Sequence, residues 1–245
     1  MWTWIHKFGS PPHFYRIAAL LTPWFGWIAA ILIATGLVWG LVFAPADYQQ
    51  GDGFRILYVH APSAWMSLFT YVVMALAAGI GLVWRIKVAH AVAASCAPIG
   101  VAFTASALVT GAVWGQKMWG TWWEWDPRLT SELILLFLYF GYMALRSAYD
   151  DPQRADRASA VLALVGVVNV PIIHYSVVWW NSLHQVASVA KIGRPSIAPE
   201  MLVPLILMFF GFNILFGAVL LTRVRGEVLL RERSADWIRA LVAKS

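Results

Sequence analysis

Six stretches of this chain are apolar over close to the ~20 residues that an α-helix needs to cross a bilayer. They are 24–44, 62–84, 91–113, 129–146, 158–179 and 201–222. With 60% hydrophobic and only 12% charged residues, the chain has too few polar side chains to cover such a surface in water. The sequence therefore predicts an all-α integral membrane protein with six transmembrane helices, formed by residues 1–245 as a single membrane domain.

Lysine and arginine are shared unequally between the two sides of this predicted bundle. Thirteen of the 18 lie on the side that holds both termini, and the other five lie in the loops 45–61, 114–128 and 180–200. Because basic segments are retained in the cytoplasm, both termini are predicted to be cytoplasmic and the three loops to face the outer side of the membrane. The net charge of +6 then reflects topology and contact with membrane lipid, and no nucleic-acid partner is expected.

The two ends of the chain differ in composition from the spans. Residues 1–23 mix Trp2 and Trp4 with Lys7 and Arg16, which predicts a cytoplasmic segment lying at the membrane interface. Residues 223–245 alternate charged and apolar side chains, which predicts a cytoplasmic amphipathic tail.

Several classes of function are excluded by what the sequence lacks. The one cysteine, Cys96, lies in an apolar stretch, so neither a disulfide framework nor a thiolate zinc site is available. No C-x-x-C-H sequence occurs, and therefore any haem held by this chain is not attached through thioethers. Nucleotide-binding loops and nucleophile elbows are also missing from the sequence, and we predict that the protein is not an enzyme.

The most unusual segment runs from residue 114 to residue 126. Five of its thirteen residues are tryptophans: Trp114, Trp119, Trp122, Trp123 and Trp125. Tryptophan collects at membrane interfaces, but an interfacial belt accounts for only one or two per helix end. A cluster of five favours an aromatic platform for a flat, apolar ligand, because large rings offer much contact area.

The predicted topology also sorts the six histidines. Only His60 and His184 fall on the outer side, in the two loops that flank the tryptophan segment. A lone histidine there is more often an ordinary interfacial residue, but two imidazoles beside five tryptophans favour ligation of one haem iron from opposite faces. His174 lies deep in the fifth predicted span, where an ionisable side chain suggests a function that stays open.

The segment from Trp119 to Asp126 reads W-G-T-W-W-E-W-D and continues as P-R-L-T-S-E. It resembles the W-G-x-x-W-x-W-D signature of the WWD family of haem-handling membrane proteins. Chain length, span number and the position of this segment between the third and fourth spans resemble the CcmC family of cytochrome c maturation in particular. Members of that family carry one histidine in each flanking loop, which agrees with His60 and His184.

The resemblance implies a cofactor, a task and partners. It implies that haem b is bound non-covalently and presented at the periplasmic face of the inner membrane to the haem chaperone CcmE. It further implies that the small membrane protein CcmD and the ABC transporter proteins CcmA and CcmB are partners, with ATP-driven work left to the transporter.

Charged residues near the tryptophan segment suggest further contacts. Haem carries two propionates, and Arg55 and Arg128 are the candidate cations, since arginine pairs well with carboxylates. Lys117 is a weaker candidate, and each of the three could instead be an ordinary solvated cation. Asp126 and Glu124 are expected to organise the segment through hydrogen bonds or to contact a partner.

Two other classes of protein predict different patterns. A quinone-linked, haem-containing oxidoreductase subunit, the main alternative, needs histidine pairs stacked across the bilayer, whereas only His174 lies deep in a predicted span. A secondary transporter predicts inverted repeats and charges at the midplane, and neither pattern is evident in the sequence.

Overall fold

A computed structural model describes residues 9–180, 182–184 and 196–243, and within these the chain forms helices and no strand. The α-helices are α1 (Pro11–Val38), α2 (Leu57–Trp84), α3 (Lys87–Trp119), α4 (Pro127–Ser147), α5 (Pro152–Gly166), α6 (Asn169–Trp179), α7 (Pro199–Arg231) and α8 (Asp236–Val242). A π-helical turn, Trp39–Phe43, extends α1, and a 3-10 turn, Asp52–Ile56, leads into α2.

Six helical segments are long and apolar enough to cross a membrane, which confirms the predicted number of spans. They are Pro11–Phe43, Asp52–Trp84, Lys87–Trp119, Pro127–Ser147, Pro152–Trp179 and Pro199–Arg231. The protein is therefore a multi-pass helical membrane protein. Most segments extend beyond the predicted spans, because hydropathy marks the apolar centre of a helix and the helix continues into the polar region on either side.

The first and last long helices extend into the two predicted terminal segments. Residues 11–23 are the first turns of α1 and not a separate segment, since Pro11 stands in the first turn, where no backbone N–H is required. At the other end, α7 continues to Arg231, and only Asp236–Val242 forms a short separate helix. The remainder of the predicted terminal segments, residues 1–8 and 244–245, lies outside the described part of the chain.

The bundle is built from two long helix pairs, α2 with α3 and α1 with α7, against which α4, α5 and α6 pack. Small residues let the helices approach closely in the core. A Cβ atom on Gly100 would lie 2.0 Å from Cζ of Tyr139, and one on Gly166 would lie 2.1 Å from the hydroxyl of Tyr71. These two tyrosines are fully buried and contact each other edge to face, with ring centroids 5.0 Å apart.

The fifth span is interrupted between α5 and α6. Pro171 has no N–H to donate to the carbonyl of Val167, and its ring crowds that carbonyl, which favours an interruption at this point. At the break, the side-chain amide of Asn169 donates to the carbonyl of Ser131 at 2.9 Å. This bond ties the start of α6 to α4 and so positions the chain that leads to residues 182–184.

A charged cluster of Arg146, Asp156, Glu227 and Arg231 joins α4, α5 and α7 at the end of the bundle opposite the tryptophan segment. Asp156 accepts from Arg146 at 3.0 Å and from Arg231 at 2.7 Å. Glu227 accepts from both arginines as well. Each arginine pairs with both carboxylates, so the two positive and two negative charges of the cluster cancel.

Candidate haem-binding site

The tryptophan segment is more helical than predicted. Helix α3 continues through Trp114 to Trp119 and ends at Gly120, whose φ of 77° lies in the left-handed region that glycine tolerates best. Helix α4 then begins behind Asp126, whose side chain caps it by accepting from the backbone N–H of Leu129 at 2.8 Å. The predicted loop 114–128 is therefore wrong for its first six residues, which belong to α3.

His60 lies on α2 and not in the loop 45–61, because the 3-10 turn passes directly into this helix at Leu57. Its Nδ1 atom is 3.1 Å from the carbonyl oxygen of Ala107 and 3.1 Å from the hydroxyl oxygen of Thr110. That hydroxyl already donates to the carbonyl of Ser106 at 2.6 Å, so both neighbours of Nδ1 act as acceptors. The proton of His60 consequently belongs on Nδ1, which leaves the lone pair of Nε2 available to a metal.

Helix α3 is shaped to receive this imidazole. A Cβ atom on Gly111 would lie 3.0 Å from Cε1 of His60, so the ring occupies the space that a side chain would take. The ring of Trp114, one turn further along α3, meets the imidazole edge to face at 5.5 Å between centroids. His60 is thus held by a backbone carbonyl, a hydroxyl and an indole from a single helix.

His184 follows the break in the fifth span and is held by the tryptophan segment. Its Nδ1 atom is 3.5 Å from Oδ2 of Asp126, and its ring meets that of Trp119 edge to face at 5.0 Å. Burial lowers the pKa of His184, and the nearby Asp126 carboxylate offsets this only in part. At neutral pH the imidazole is therefore uncharged, which is the form that ligates a metal.

Asp126 connects α4 to the segment that carries His184. Besides capping α4, its carboxylate accepts from the hydroxyl of Ser182 and, at 3.2 Å, from the backbone N–H of Leu183. Burial acts to raise the pKa of Asp126, but the hydrogen bonds from Ser182 and Leu129 outweigh it, and the pKa lies below its ordinary value. Asp126 is consequently an anion and organises the segment through hydrogen bonds.

His60 and His184 line the same cleft, at the end of the bundle that carries the tryptophan segment. The cleft has a volume of about 30 Å³ and is lined by His60, Ala64, Leu68, Ala107, Leu108, Arg128, Leu129, Glu132, Ile173 and His184. That volume is close to the share of one water molecule in the liquid. A larger ligand would therefore have to widen the cleft or lie across its mouth.

The two candidate arginines differ in their surroundings. Arg128 lines the cleft, and within the described ranges its guanidinium has no hydrogen-bond or salt-bridge partner. Arg55 lies outside the cleft lining and is engaged elsewhere, since it donates to the carbonyl of Gly40 at 2.7 Å and pairs with Asp52 at 2.9 Å. Lys117 is exposed at the end of α3.

The five tryptophans differ in their contacts and exposure. Trp114 and Trp119 contact the two imidazoles, whereas Trp122 and Trp125 are 62% and 75% exposed. The ring of Trp123 meets that of Trp125 edge to face at 5.5 Å, and its buried indole N–H has no acceptor among the described residues. The segment thus has an inner pair beside the histidines and an outer group that is open to a ligand or partner.

Glu132 belongs to the cleft, although the sequence analysis did not select it. Its buried carboxylate accepts from the hydroxyl of Ser67 at 2.6 Å and lines the cleft one helical turn below Arg128. A carboxylate inside a predicted span was the signal that could have revealed it. His174, by contrast, is exposed on α6 and does not line the cleft; its ring contacts that of Tyr175 at 4.7 Å.

The donor set suits haem better than a bare metal ion. Among the described residues, no three His, Cys, Asp or Glu side chains are grouped so as to hold an ion. Two imidazoles are too few for a structural zinc site, which needs four protein ligands. They are the number needed for haem, because the porphyrin itself supplies the four equatorial nitrogens.

Together, the fold and the cleft define a class: a six-span helical membrane protein with two imidazoles and an indole-rich segment at one end of its bundle. A model of the CcmC family, described as Heme exporter protein C, matches residues 4–239. The chain belongs to this family.

Relatives that match nearly the full length of this chain carry the same description. A Heme exporter protein C of Haemophilus influenzae is 53% identical over 241 residues, which cover 98% of each chain. That of Escherichia coli K12 is 49% identical over 244 residues, covering 100% of this chain and 98% of the relative. That of Paracoccus denitrificans is 43% identical over 232 residues, covering 94% of this chain and 96% of the relative.

Proposed function

We propose that this protein handles haem in cytochrome c maturation by binding haem b non-covalently between His60 and His184. We propose further that it presents the haem at the periplasmic face of the inner membrane to the chaperone CcmE. Membership of the family described as Heme exporter protein C supports the haem-handling role.

The observation that carries the proposal is the arrangement of the two imidazoles. Both line one cleft, and each has its Nδ1 atom beside a hydrogen-bond acceptor. Such partners fix the ring orientation and direct Nε2 toward a metal, as they do for histidines that ligate metals in other proteins.

Other residues of the site suit the remaining parts of a porphyrin. The guanidinium of Arg128, which has no partner within the described ranges, is available to a propionate, and bidentate pairing would orient the ring. Exposed Trp122 and Trp125 offer apolar faces for the ring or for the chaperone. Arg55 is a poorer candidate for a propionate, because its guanidinium already pairs with Asp52 and Gly40.

The contribution of the protein would be positioning and not catalysis. Its side chains would hold the haem iron, turn a chosen edge of the ring outward and exclude water from the apolar face, so that the chaperone meets its substrate in a reactive orientation. The bond to haem would be made by the chaperone. CcmD and the transporter proteins CcmA and CcmB are proposed as partners, and ATP hydrolysis would be theirs.

Haem content and absorption spectrum of the purified protein test the ligands. The wild-type protein should carry haem with the spectrum of a bis-histidine complex. His60→Ala and His184→Ala should each lose most of the bound haem, and co-expressed CcmE should then acquire less covalent haem, detected by its peroxidase activity on a denaturing gel. His174→Ala is the matched control, since this histidine is exposed outside the cleft, and it should retain both properties. Unchanged haem content in both cleft variants would refute the proposal.

A further inference from the structure

The two imidazoles of the cleft have chemically different partners. Nδ1 of His60 faces two neutral acceptors, the carbonyl of Ala107 and the hydroxyl of Thr110, each at 3.1 Å. Nδ1 of His184 faces a carboxylate oxygen of Asp126 at 3.5 Å. The difference matters because a negatively charged acceptor polarises an imidazole N–H much more strongly than a neutral one.

Three hydrogen bonds hold the carboxylate of Asp126 in place beside His184. One oxygen, Oδ1, accepts from the backbone N–H of Leu129 at 2.8 Å. The other, Oδ2, accepts from the hydroxyl of Ser182 and from the backbone N–H of Leu183 at 3.2 Å. The residue is only 8% exposed, so little water competes for these oxygens.

On this basis, and resting on the proposed function, we propose that Asp126 is a positioning residue that makes His184 the stronger electron donor of the two imidazoles that would hold the haem iron. Acceptance of the Nδ1 proton by a carboxylate raises the basicity of Nε2 on the same ring. A more basic ligand stabilises ferric iron relative to ferrous iron and lowers the reduction potential of the bound haem. His60, with neutral partners, would be the weaker donor.

Asp126→Asn separates this role from the structural one. Asparagine caps helices as well as aspartate does, and its side-chain oxygen can still accept from Leu129 or Ser182. The substitution removes the negative charge that faces Nδ1 of His184. It therefore weakens His184 as a donor while keeping the start of α4.

The experiment is a potentiometric titration of the purified, haem-loaded protein, followed by its absorption spectrum. We expect Asp126→Asn to shift the equilibrium between ferric and ferrous iron roughly tenfold toward ferrous iron, a rise of about 59 mV for one electron. The control is Glu124→Gln, which removes an exposed negative charge from the same segment. Its ratio of ferric to ferrous iron should stay within twofold of wild type.

If the ratio of ferric to ferrous iron in Asp126→Asn stayed within twofold of wild type, the inference would be overturned. An equal rise of the potential in Glu124→Gln would also overturn it, because any negative charge in the segment would then have the same effect.

Should Asp126→Asn lose its haem, Ser182→Ala provides a test of opposite sign. It removes a donor from Oδ2 while keeping the carboxylate, so that Oδ2 binds Nδ1–H of His184 more strongly and the potential falls. A raised or unchanged potential there would also overturn it. If instead the wild-type protein bound no haem, the proposed function itself would fail.

Discussion

At the scale of single residues, Arg128 and Arg55 provide a matched pair of cations near the same end of the bundle. Arg128 lines the cleft without a partner among the described residues, whereas Arg55 satisfies the carbonyl of Gly40 at the end of the first span. Arg128 can therefore pair with a ligand, whereas Arg55 already stabilises the fold. Their substitutions should therefore have different consequences.

We expect Arg128→Ala to weaken haem binding about tenfold, the loss of one charge-assisted hydrogen bond of roughly 1.5 kcal/mol, with little change in thermal stability. Arg55→Ala should lower the melting temperature, because a helix-end carbonyl loses its donor, and should leave haem affinity within about threefold of wild type. Haem titration and thermal unfolding in detergent measure both quantities. The reverse pattern would show that Arg55 is the propionate ligand.

The sequence predicted which residues of the site share one side of the membrane, but not which side chains contact each other. Counting basic residues sufficed to bring His60 and His184 to one face, and both line the same cleft. The sequence did not reveal which cation was already paired, since Gly40 and Arg55 meet only after folding. Glu132 was missed because one carboxylate changes the mean hydropathy of a span very little.

At the scale of secondary-structure elements, the ends of helices near the site depend on local signals that hydropathy does not detect. Helix α3 continues through Trp114 and Trp119 and ends at Gly120, which adopts the left-handed conformation of a C-cap. The Asp126-Pro127 pair, an N-cap followed by proline, is an equally local start signal. Such signals predict the segment 120–126 better than the apolar stretches do.

The charged cluster at the other end of the bundle joins three helices and is predicted to stabilise the fold. Asp156 is 7% exposed and accepts from Arg146 and Arg231. Asp156→Asn leaves two guanidinium groups with one carboxylate between them, and should destabilise the protein by about 1–3 kcal/mol. Thermal unfolding in detergent, compared at fixed pH and salt, measures the loss.

Asp151→Asn is the matched control for this prediction. Asp151 pairs with Arg154 at 3.7 Å, but both side chains are largely exposed, and asparagine can keep the cap on α5. Its effect should stay below about 0.5 kcal/mol. Equal losses for both substitutions would mean that the charged cluster contributes no more than an exposed ion pair.

At the scale of the whole molecule, the two ends of the bundle differ in chemistry. One end carries the charged cluster, whose charges cancel, and the other carries the cleft with Arg128 and the exposed tryptophans. Helix α4 joins them, because Asp126 caps its first turn and Arg146 lies in its last. The 21 residues of α4 span roughly 30 Å, about the thickness of a bilayer core. The proposed function requires the cleft to be on the periplasmic side.

Labelling of introduced cysteines tests that orientation. The one native cysteine, Cys96, is fully buried and is replaced by alanine first. Tyr48→Cys reports on the cleft end, since Tyr48 is 90% exposed and its neighbour Gln50 accepts from the indole of Trp114 at 2.9 Å. Ser234→Cys reports on the opposite end, between α7 and α8.

A membrane-impermeant maleimide added to spheroplasts should label Tyr48→Cys at once, but Ser234→Cys only after lysis. This result follows from the excess of basic residues on the side of both termini. Tyr48 follows the first span and Ser234 follows the sixth. An odd number of crossings separates them, so the two positions must lie on opposite sides and differ in labelling. Labelling of Ser234→Cys alone in intact spheroplasts would put the imidazole cleft in the cytoplasm, where no periplasmic chaperone could reach it.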